Sequence, residues 1–312
     1  MRRRSLQCRR RNARRSRAEP ALNVAFIGVG AMGAPMASCI ARAGHTLILY
    51  DSVRERAAQV ANAQKGRVAD GFDELADSDF VITMLPTGQI VRDLYLRDGL
   101  AHKLRRGVTA IDMSSSDPVG TRELGVALAA LGITLIDAPV SGGVPRATQG
   151  TLTIMIGGDD AAAIERARPL LSSMGERLFD TGGLGSGHAM KALNNFVAAA
   201  SFAACAEALL AGQRFGLDPT RMVEILNVST GRSFHTDVVL REHVVGGRFA
   251  TGFQLGLLAK DVRIAADLAQ KLRLDAPLVR LVSERFDAAR DALGYGRDHT
   301  EAIKAWDQNS AV

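Results

Sequence analysis

The stretch VAFIGVGAMGAPMASCIARAGHTLILYD, residues 24–51, carries the strongest fold signal in the chain. A short apolar run predicts a strand, and Gly28, Gly30 and Gly33 follow it with the spacing G-x-G-x-x-G at the start of a helix-like segment. A second apolar run ends at Asp51, 23 residues after Gly28. Gly28 permits a tight turn, Gly30 lets the backbone approach a phosphate group, and Gly33 lets helix and strand pack closely. With the free N–H groups of a helix N-terminus, this order predicts a βαβ unit that binds a dinucleotide.

The acid at the end of the second run also bears on which dinucleotide is bound. A carboxylate at Asp51 can accept hydrogen bonds from a ribose 2′-OH and repels a 2′-phosphate, which favours NAD. Arg54 and Arg56 follow closely, and either can reach a 2′-phosphate, so NADP stays open. Glycines used only for packing would explain the turn but not the acid.

Short apolar and β-branched runs alternate with helix-like stretches from Leu22 to about Thr181. Their near-continuous hydrophobicity predicts strands covered on both faces, and the alternation predicts a parallel sheet. The predicted strands span residues 22–28, 46–51, 79–86, 107–114, 133–139, 151–158 and 176–180.

The character of the sequence changes after TGGLGSG, residues 181–187. No convincing strand follows, and apolar residues recur at helical spacing through residues 190–293. We therefore predict an α/β fold in which a Rossmann-like parallel sheet domain, residues 21–184, binds the dinucleotide. An all-α domain, residues 185–312, follows it and serves substrate binding and oligomerisation.

The positive charge of the chain is concentrated at its N-terminus. The formal charge is +6, whereas residues 1–20 contain nine arginines and one acid, a local charge of +8, which leaves −2 for the other 292 residues. The folded body therefore offers no nucleic-acid footprint, and we expect residues 1–20 to be a disordered basic tail. The tail is Arg-rich and acid-poor like a transit peptide but lacks the spaced apolar residues of an amphipathic helix, so an extension without function is the favoured interpretation.

Cysteine usage and apolar runs indicate the compartment. Cys8, Cys39 and Cys205 are isolated, so neither a disulfide framework nor a zinc or other metal site is indicated. The longest apolar run, residues 196–212, consists mainly of alanine and includes Glu207, which predicts a buried helix too short to span a bilayer. We therefore expect a cytoplasmic protein without a membrane partner.

Two further segments have the chemistry of a substrate site. Ser141, Gly142 and Gly143 can present a hydroxyl and consecutive backbone N–H groups to a carboxylate, although the same residues also suit an ordinary turn. Lys191 and Asn195 lie four residues apart and share one helix face, with His188 one turn earlier.

Lys191 stands near the start of its predicted helix. The macrodipole and burial both disfavour an ammonium there, so both lower its pKa towards a range useful for proton transfer. A surface lysine followed by capping amides is the alternative interpretation. A lone histidine is more often solvated or hydrogen-bonded than catalytic, so His188 receives no role.

Six motifs, in this order along the chain, resemble those of the β-hydroxyacid dehydrogenases, a family that includes 3-hydroxyisobutyrate dehydrogenase and tartronate semialdehyde reductase. The similarity runs from about Leu22 to Trp306. The motifs are GVGAMGAPMA, VITMLPT, DMSSSDP, DAPVSGGVPRATQGTLTIMIGG, GSGHAMKALNN and GFQLGLLAKDVRIA.

This resemblance implies roles for individual residues. Lys191 would exchange a proton with the substrate oxygen, Asn195 would hold the substrate, and the segment Ser141–Gly143 would bind its carboxylate. The implied cofactor contacts are Gly28, Gly30, Ala31, Met32, Gly33, Asp51, Leu85, Pro86, Ser115 and Lys260. In the same family, residues 229–237 vary with specificity, which makes Arg232, Ser233 and Phe234 candidates for reading the rest of the substrate.

The resemblance also implies the reaction. We expect an NAD(P)-dependent oxidoreductase that interconverts a small 3-hydroxy acid and its semialdehyde, of the 3-hydroxyisobutyrate dehydrogenase or 2-hydroxy-3-oxopropionate reductase type, in a homodimer or homotetramer. The alternative is a non-catalytic dinucleotide-binding sensor or scaffold of the same fold. Such a protein would be expected to lose Lys191 and Asn195, which this sequence keeps.

Overall fold

The computed structural model describes residues 21–307, so the predicted basic tail, residues 1–20, lies outside the described part of the chain. Within residues 21–307 the strands are β1 Asn23–Ile27, β2 Thr46–Tyr50, β3 Arg67–Val68, β4 Phe80–Thr83, β5 Thr109–Asp112, β6 Thr134–Asp137, β7 Val140–Ser141, β8 Leu152–Gly157 and β9 Gly175–Gly182. The helices are α1 Gly33–Arg42, α2 Arg54–Gln64, α3 Gly88–Leu96, α4 Leu100–Lys103, α5 Pro118–Ala130, α6 Gly143–Gln149, α7 Ala161–Ser172, α8 Ser186–Phe215, α9 Pro219–Asn227, α10 Leu255–Lys271, α11 Pro277–Leu293 and α12 Ala302–Trp306. Short 3₁₀ segments at Phe72–Leu75 and His299–Glu301 and a π-helical segment at His235–Val245 complete the chain.

The strands form one sheet in the order β3-β2-β1-β4-β5-β6-β8-β7, with β9 paired to β8. The pairs from β3 to β6 are parallel, and β9 is parallel to β8. Strand β8, however, runs antiparallel to both β6 and β7. The sheet is therefore mainly parallel, as predicted, and β8 is the exception. An apolar run indicates that both faces of a strand are buried, but it does not indicate the direction of the strand. The chain reverses through β7 and α6 before it enters β8.

The covered sheet explains why its strands read as continuous apolar runs. Along β1, Val24 and Phe26 join the core on one face, while Ala25 and Ile27 join the core on the other, and all four are buried. We did not predict the two very short strands β3 and β7, because two residues are too few to show an alternation of apolar and polar side chains. The predicted two-part architecture of Rossmann-type sheet and helical C-terminal region is confirmed.

The helical part is organised around α8, which contains 30 residues and packs on α10, α11 and β8. Its core includes the fully buried rings of Phe202 and Phe286, which lie beside Trp306. Among residues 21–307, α8 is the one helix long and apolar enough, by length and composition, to cross a membrane. The prediction of a helix too short for this was wrong, because the apolar run counted from Phe196 omitted the helical turns before it.

Candidate active site

The glycine loop between β1 and α1 has the geometry that its spacing predicts. Gly28 has φ +91°, and a Cβ there would overlap the carbonyl oxygen of Met84. A Cβ at Gly33 would overlap the carbonyl of Gly28, so helix and strand meet at van der Waals distance. At Gly30, by contrast, a Cβ would meet nothing within 4 Å. The loop is thus tight on its protein side and open at Gly30, where a phosphate group would approach.

The N-terminus of α1 keeps its hydrogen-bond donors. In the described chain, no acceptor takes the N–H groups of Gly30, Ala31, Met32 or Gly33, and α1 has neither a side-chain cap nor an acid in its first turn. Unsatisfied N–H groups and the positive end of the helix dipole favour an anion at this position. The residues present therefore fit a dinucleotide pyrophosphate.

Asp51, directly after β2, accepts a hydrogen bond from the glycine loop. Its Oδ2 accepts a hydrogen bond from Val29 N at 2.9 Å and its Oδ1 one from Val53 N at 2.9 Å. Arg54 is held 2.6 Å from the carboxylate of Asp70, and Arg56 Nη1 lies 4.0 Å from Asp51 Oδ1.

The loops after β4 and β5 lie beside the glycine loop. The Leu85 side chain lies next to Gly28, and Leu85 N donates to Ser114 Oγ at 2.9 Å. The buried Asp112 carboxylate accepts from Ser114 N at 3.0 Å and from Ser116 Oγ at 2.7 Å. Asp112 therefore fixes the loop that contains Ser115, while Pro86 is exposed at the neighbouring strand end.

The serines of this loop are not the cap of α5. Asp117 caps the helix, accepting from Val119 N and Gly120 N. A carboxylate one residue before Pro118 has the better reach to these N–H groups, which leaves the serine hydroxyls free for the bonds to Leu85 and Asp112.

A chain of polar contacts connects this loop with the helical part. Lys260 Nζ on α10 donates to the carbonyl oxygen of Ser115 at 2.8 Å. It also lies 3.0 Å from Asp261 Oδ1, an ion pair that is not aligned as a hydrogen bond. Asp261 Oδ2 accepts from Asn195 Nδ2 at 2.6 Å, and Asn195 Oδ1 accepts from its neighbour Asn194. The structure therefore joins Ser115, Lys260 and Asn195, three residues selected from distant parts of the sequence.

Lys191 lies on the same face of α8 as Asn195, close enough to Asp261 and Lys260 for their charges to act on it. Its side chain keeps some accessible surface, but protein surrounds the amine closely enough that burial lowers its pKa. The Asp261 carboxylate acts in the opposite direction, and the charge of Lys260 lowers the pKa further. Among residues 21–307, no hydrogen-bond acceptor is paired with the Lys191 amine, which leaves its proton available.

The start of α8 is held by a buried carboxylate that sequence reasoning missed. Asp137, at the end of β6, accepts from Gly185 N at 2.7 Å and from His188 N at 2.8 Å. A Cβ at Gly187 would overlap Asp137 and the carbonyl oxygen of Met155, so the helix approaches the sheet closely here. Asp137 places a negative charge at the positive end of the helix dipole. Burial, which the position of Lys191 led us to expect as one cause, is the largest cause of its lowered pKa.

The proposed carboxylate-binding turn lies farther along the same sheet edge. Ser141 ends β7, opposite Thr153 of β8, while Gly142 (φ +136°) and Gly143 (φ +64°) are exposed. No acceptor in the described part of the chain takes the N–H groups of these two glycines. In the described part of the chain, no direct hydrogen bond joins this turn to Lys191.

Two of the three specificity candidates at residues 232–234 make contacts within their own segment. Arg232 is paired with Asp237 at 2.8 Å, and Ser233 exchanges hydrogen bonds with Thr236 at the start of the π-helical segment. The ring of Phe234 is exposed.

Asp112 and Asp137 are the site residues that sequence reasoning left out. Each follows three apolar or β-branched residues at the carboxyl end of its strand, β5 or β6, and those ends meet at one edge of a parallel sheet. An acid at the end of two neighbouring predicted strands was therefore a usable signal.

Comparison with known proteins agrees with this geometry. Residues 23–183 match the family described as the NAD binding domain of 6-phosphogluconate dehydrogenase, and residues 185–306 match NAD-binding of NADP-dependent 3-hydroxyisobutyrate dehydrogenase. The chain is 35% identical to 2-(hydroxymethyl)glutarate dehydrogenase of Eubacterium barkeri over 297 residues, covering 94% of this chain and 98% of that protein. It is 36% identical to 3-hydroxyisobutyrate dehydrogenase of Pseudomonas aeruginosa, covering 91% and 98%.

A solved structure shows the same fold over nearly the whole chain. Mycobacterium tuberculosis 3-hydroxyisobutyrate dehydrogenase with L-serine superposes with a TM-score of 0.84 at 31% identity, covering 92% of this chain and 100% of that one. Fold and site thus define an NAD(P)-dependent oxidoreductase. The chain belongs to the β-hydroxyacid dehydrogenase family.

Proposed function

We propose that this enzyme interconverts a small 3-hydroxy acid and its semialdehyde, with Lys191 as the general acid/base. The observation that carries the proposal is the unpaired Lys191 amine, whose pKa is lowered by burial, on the helix face that Asn195, Asp261 and Lys260 connect to the cofactor loop. The bound nicotinamide would supply or accept the hydride. The protein contributes alignment and proton transfer.

The lowered pKa suits both directions of the reaction. In the oxidation, a neutral Lys191 amine accepts the hydroxyl proton; in the reduction, the ammonium form returns it to the oxygen of the aldehyde. Asn195 donates one of its two amide N–H groups to Asp261, so the second remains for the substrate.

The substrate carboxylate is assigned to Ser141, Gly142 and Gly143. Their exposed backbone N–H groups support this assignment. The compounds in the names of the two relatives both have a hydroxymethyl group on the carbon next to a carboxylate, and so does L-serine. This shared pattern supports a 3-hydroxy acid as the substrate class.

NAD is the proposed dinucleotide, with NADP as the alternative. Each Asp51 oxygen accepts only one backbone hydrogen bond, so lone pairs remain for a ribose hydroxyl, and the negative charge repels a 2′-phosphate. Arg54 is occupied by Asp70, which leaves Arg56 as the nearer cation.

We also infer a homodimer or homotetramer in the cytoplasm. The helical part exposes large apolar side chains, among them Phe215, Leu217 and Val228, which a second copy can cover. Multi-angle light scattering measures the mass directly, and a 33 kDa species at micromolar concentration would contradict the assembly.

The first test is Lys191→Ala, assayed by NADH absorbance at 340 nm with 3-hydroxyisobutyrate, L-serine and related acids, and with their semialdehydes. Loss of a positioned proton-transfer group reduces turnover by about 10²- to 10⁴-fold. Dinucleotide affinity, followed by NADH fluorescence, should stay within about twofold, since the glycine loop is distant in sequence and bonded independently.

Lys271→Ala is a matched control, because this lysine on α10 pairs with Asp117 at the domain junction and has no place in the proposed chemistry. Near-normal turnover of Lys191→Ala would remove Lys191 from its role. Dinucleotide binding without turnover on any of these compounds in the wild-type enzyme would favour the sensor or scaffold alternative.

A further inference from the structure

His188 is buried where three elements of the Rossmann domain meet the first turn of α8. Its side chain is fully buried, and Nδ1 lies 2.8 Å from Thr121 Oγ1 on α5. Nε2 lies 3.6 Å from Asp112 Oδ2 at the end of β5. Its backbone N–H donates to the Asp137 carboxylate at the end of β6. The ring therefore occupies the junction of both domains, one turn before Lys191.

The position of the ring hydrogen decides what Nε2 can offer to Asp112. Thr121 Oγ1 lies 2.8 Å from His188 Nδ1 and 2.9 Å from the carbonyl oxygen of Asp117, so its single hydrogen can serve either acceptor. Only the tautomer with the hydrogen on Nε2 presents a donor to the Asp112 carboxylate, and Thr121 then donates to Nδ1. Nε2 is a buried polar atom without a hydrogen-bond partner in the described chain, because the carboxylate lies too far away for a hydrogen bond. A buried polar group in this condition is costly unless a small movement satisfies it.

Asp112 is the residue through which such a movement would reach the cofactor loop. The same Oδ2 that faces His188 accepts from Ser116 Oγ, and Oδ1 accepts from Ser114 N and from Thr83 Oγ1 at 3.0 Å. A shift of the Ser114–Ser116 loop therefore moves the Asp112 carboxylate, and with it the group opposite His188. The ring and the Lys191 amine are carried by consecutive turns of one helix.

We propose that His188 is a positioning residue that couples the Ser114–Ser116 loop to Lys191, so that a dinucleotide on the loop sets the position of the lysine through Asp112 and the first turn of α8. The inference rests on the proposed function, in which that loop touches the nicotinamide end of the cofactor. Its physical basis is a continuous buried network with one unsatisfied contact between the two domains.

The test measures Lys191 directly as well as through turnover. The chain contains six lysines, so the rate at which Lys191 is acetylated by acetic anhydride can be read by mass spectrometry, with exposed Lys65 and Lys304 as internal references. The measurement is made on the full chain at fixed pH, without and with saturating NAD⁺.

In the wild-type enzyme NAD⁺ should change the Lys191 rate about threefold or more relative to the references, the size of a modest coupling. In His188→Ala this response should disappear, and kcat should fall about tenfold, the cost of a lost 1.4 kcal/mol, while KM and the NADH affinity change about twofold or less. His188→Asn keeps an acceptor for the Thr121 hydroxyl and should restore most of the response. Thr121→Val removes that donor and should behave like His188→Ala.

Phe286→Leu is the control for lost stability. It removes part of a fully buried ring in the core of the helical part without touching the His188 network. This variant should lower the melting temperature but leave the NAD⁺ response of Lys191 intact.

Either of two results would overturn the proposal: a NAD⁺ response of normal size in both His188→Ala and Thr121→Val, or a loss of kcat in His188→Ala no larger than in Phe286→Leu. Failure of the proposed function would look different. Lys191→Ala would then keep its turnover, whereas the labelling response of Lys191 would still report whether His188 couples the two segments.

Discussion

Helices α1 and α8 both follow a strand and a glycine-rich segment, GVGAMG before α1 and GGLGSG before α8. In both, an aspartate at the end of a strand accepts backbone N–H groups of the segment. At α1, Asp51 accepts from only one N–H group of this segment, that of Val29, four residues before the helix begins. The donors of the first turn stay free. At α8, Asp137 takes the N–H groups of Gly185 and of His188 within the first turn.

The difference shows that a glycine-rich helix start has two uses. At α1 the donors are kept for an external anion, and Gly30 leaves room for it. At α8 the protein's own carboxylate satisfies them, and Gly187 serves close packing against the sheet. Under the proposed function, α1 binds the cofactor, and α8 is locked to the sheet so that Lys191 is held in place for proton transfer.

The largest effect that would sharpen this contrast is the loss of the Asp137 carboxylate. Asp137→Ala leaves two buried N–H groups unpaired and removes two charge-assisted hydrogen bonds, so the free energy of unfolding should fall by about 3–5 kcal/mol. The control is Asp160→Ala at the N-cap of α7, where one bond to Ala163 N is lost and the cost should be about 1 kcal/mol. Urea denaturation of the two variants measures the difference, and equal losses would mean that Asp137 does not lock α8.

Exchanging the two glycines for alanine should separate binding from stability. Gly187→Ala forces a methyl group into Asp137 and the Met155 carbonyl, which should lower the free energy of unfolding by about 1–3 kcal/mol. Gly30→Ala meets no protein atom, so its stability should change by less than about 0.5 kcal/mol. Its NADH affinity, however, should fall about tenfold, because the methyl occupies the phosphate approach. A stable Gly187→Ala, or a Gly30→Ala with normal affinity, would break the comparison.

Asp51 tests whether the carboxylate at α1 acts on the ligand as well as on the loop. In Asp51→Asn the side chain can still accept one backbone N–H, but the charge that repels a 2′-phosphate is gone. We expect the ratio of kcat/KM for NADPH to that for NADH to rise about tenfold, the effect of one hydrogen bond to a charged group. Glu55→Gln, an exposed acid in the first turn of α2, controls for net charge and should leave the ratio unchanged.

The smallest expected effect is a shift of the pH profile at α8. Burial lowers the pKa of Lys191 and Asp261 partly restores it, so Asp261→Asn should lower this pKa further. Oxidation of the hydroxy acid needs the neutral amine and therefore accelerates as pH rises through that pKa, so the rising limb should move to lower pH. Asp267→Asn, an exposed acid farther along α10, serves as the control. If the rising limb of the pH profile stays in place or moves to higher pH in Asp261→Asn, Asp261 does not set the charge state of Lys191.

Much of the fold was predictable from local patterns. Every predicted strand has a counterpart in the sheet, because burial on both faces leaves a continuous apolar run. The reversal of β8 was not predictable from such a run. The helix cap at Asp117 was not predictable either, because only the folded loop decides whether a nearby hydroxyl or a carboxylate reaches the free N–H groups.

The candidate site divides in the same way. Helical spacing alone places Lys191 and Asn195 on one face. Their partners Lys260 and Asp261 are more than sixty residues away, and no local pattern joins them. His188 received no role from the sequence because its surroundings are two carboxylates, Asp112 and Asp137, and the Thr121 hydroxyl, all from other elements.

By itself the sequence determined what depends on local geometry: the strands, the glycine turn at Gly28 and the helix face that carries Lys191. Only the tertiary structure decided which helix N-terminus keeps its donors for a ligand and which is filled by Asp137. The physical reason is that a backbone N–H group is the same donor in either case, and the acceptor that satisfies it comes from a distant part of the chain.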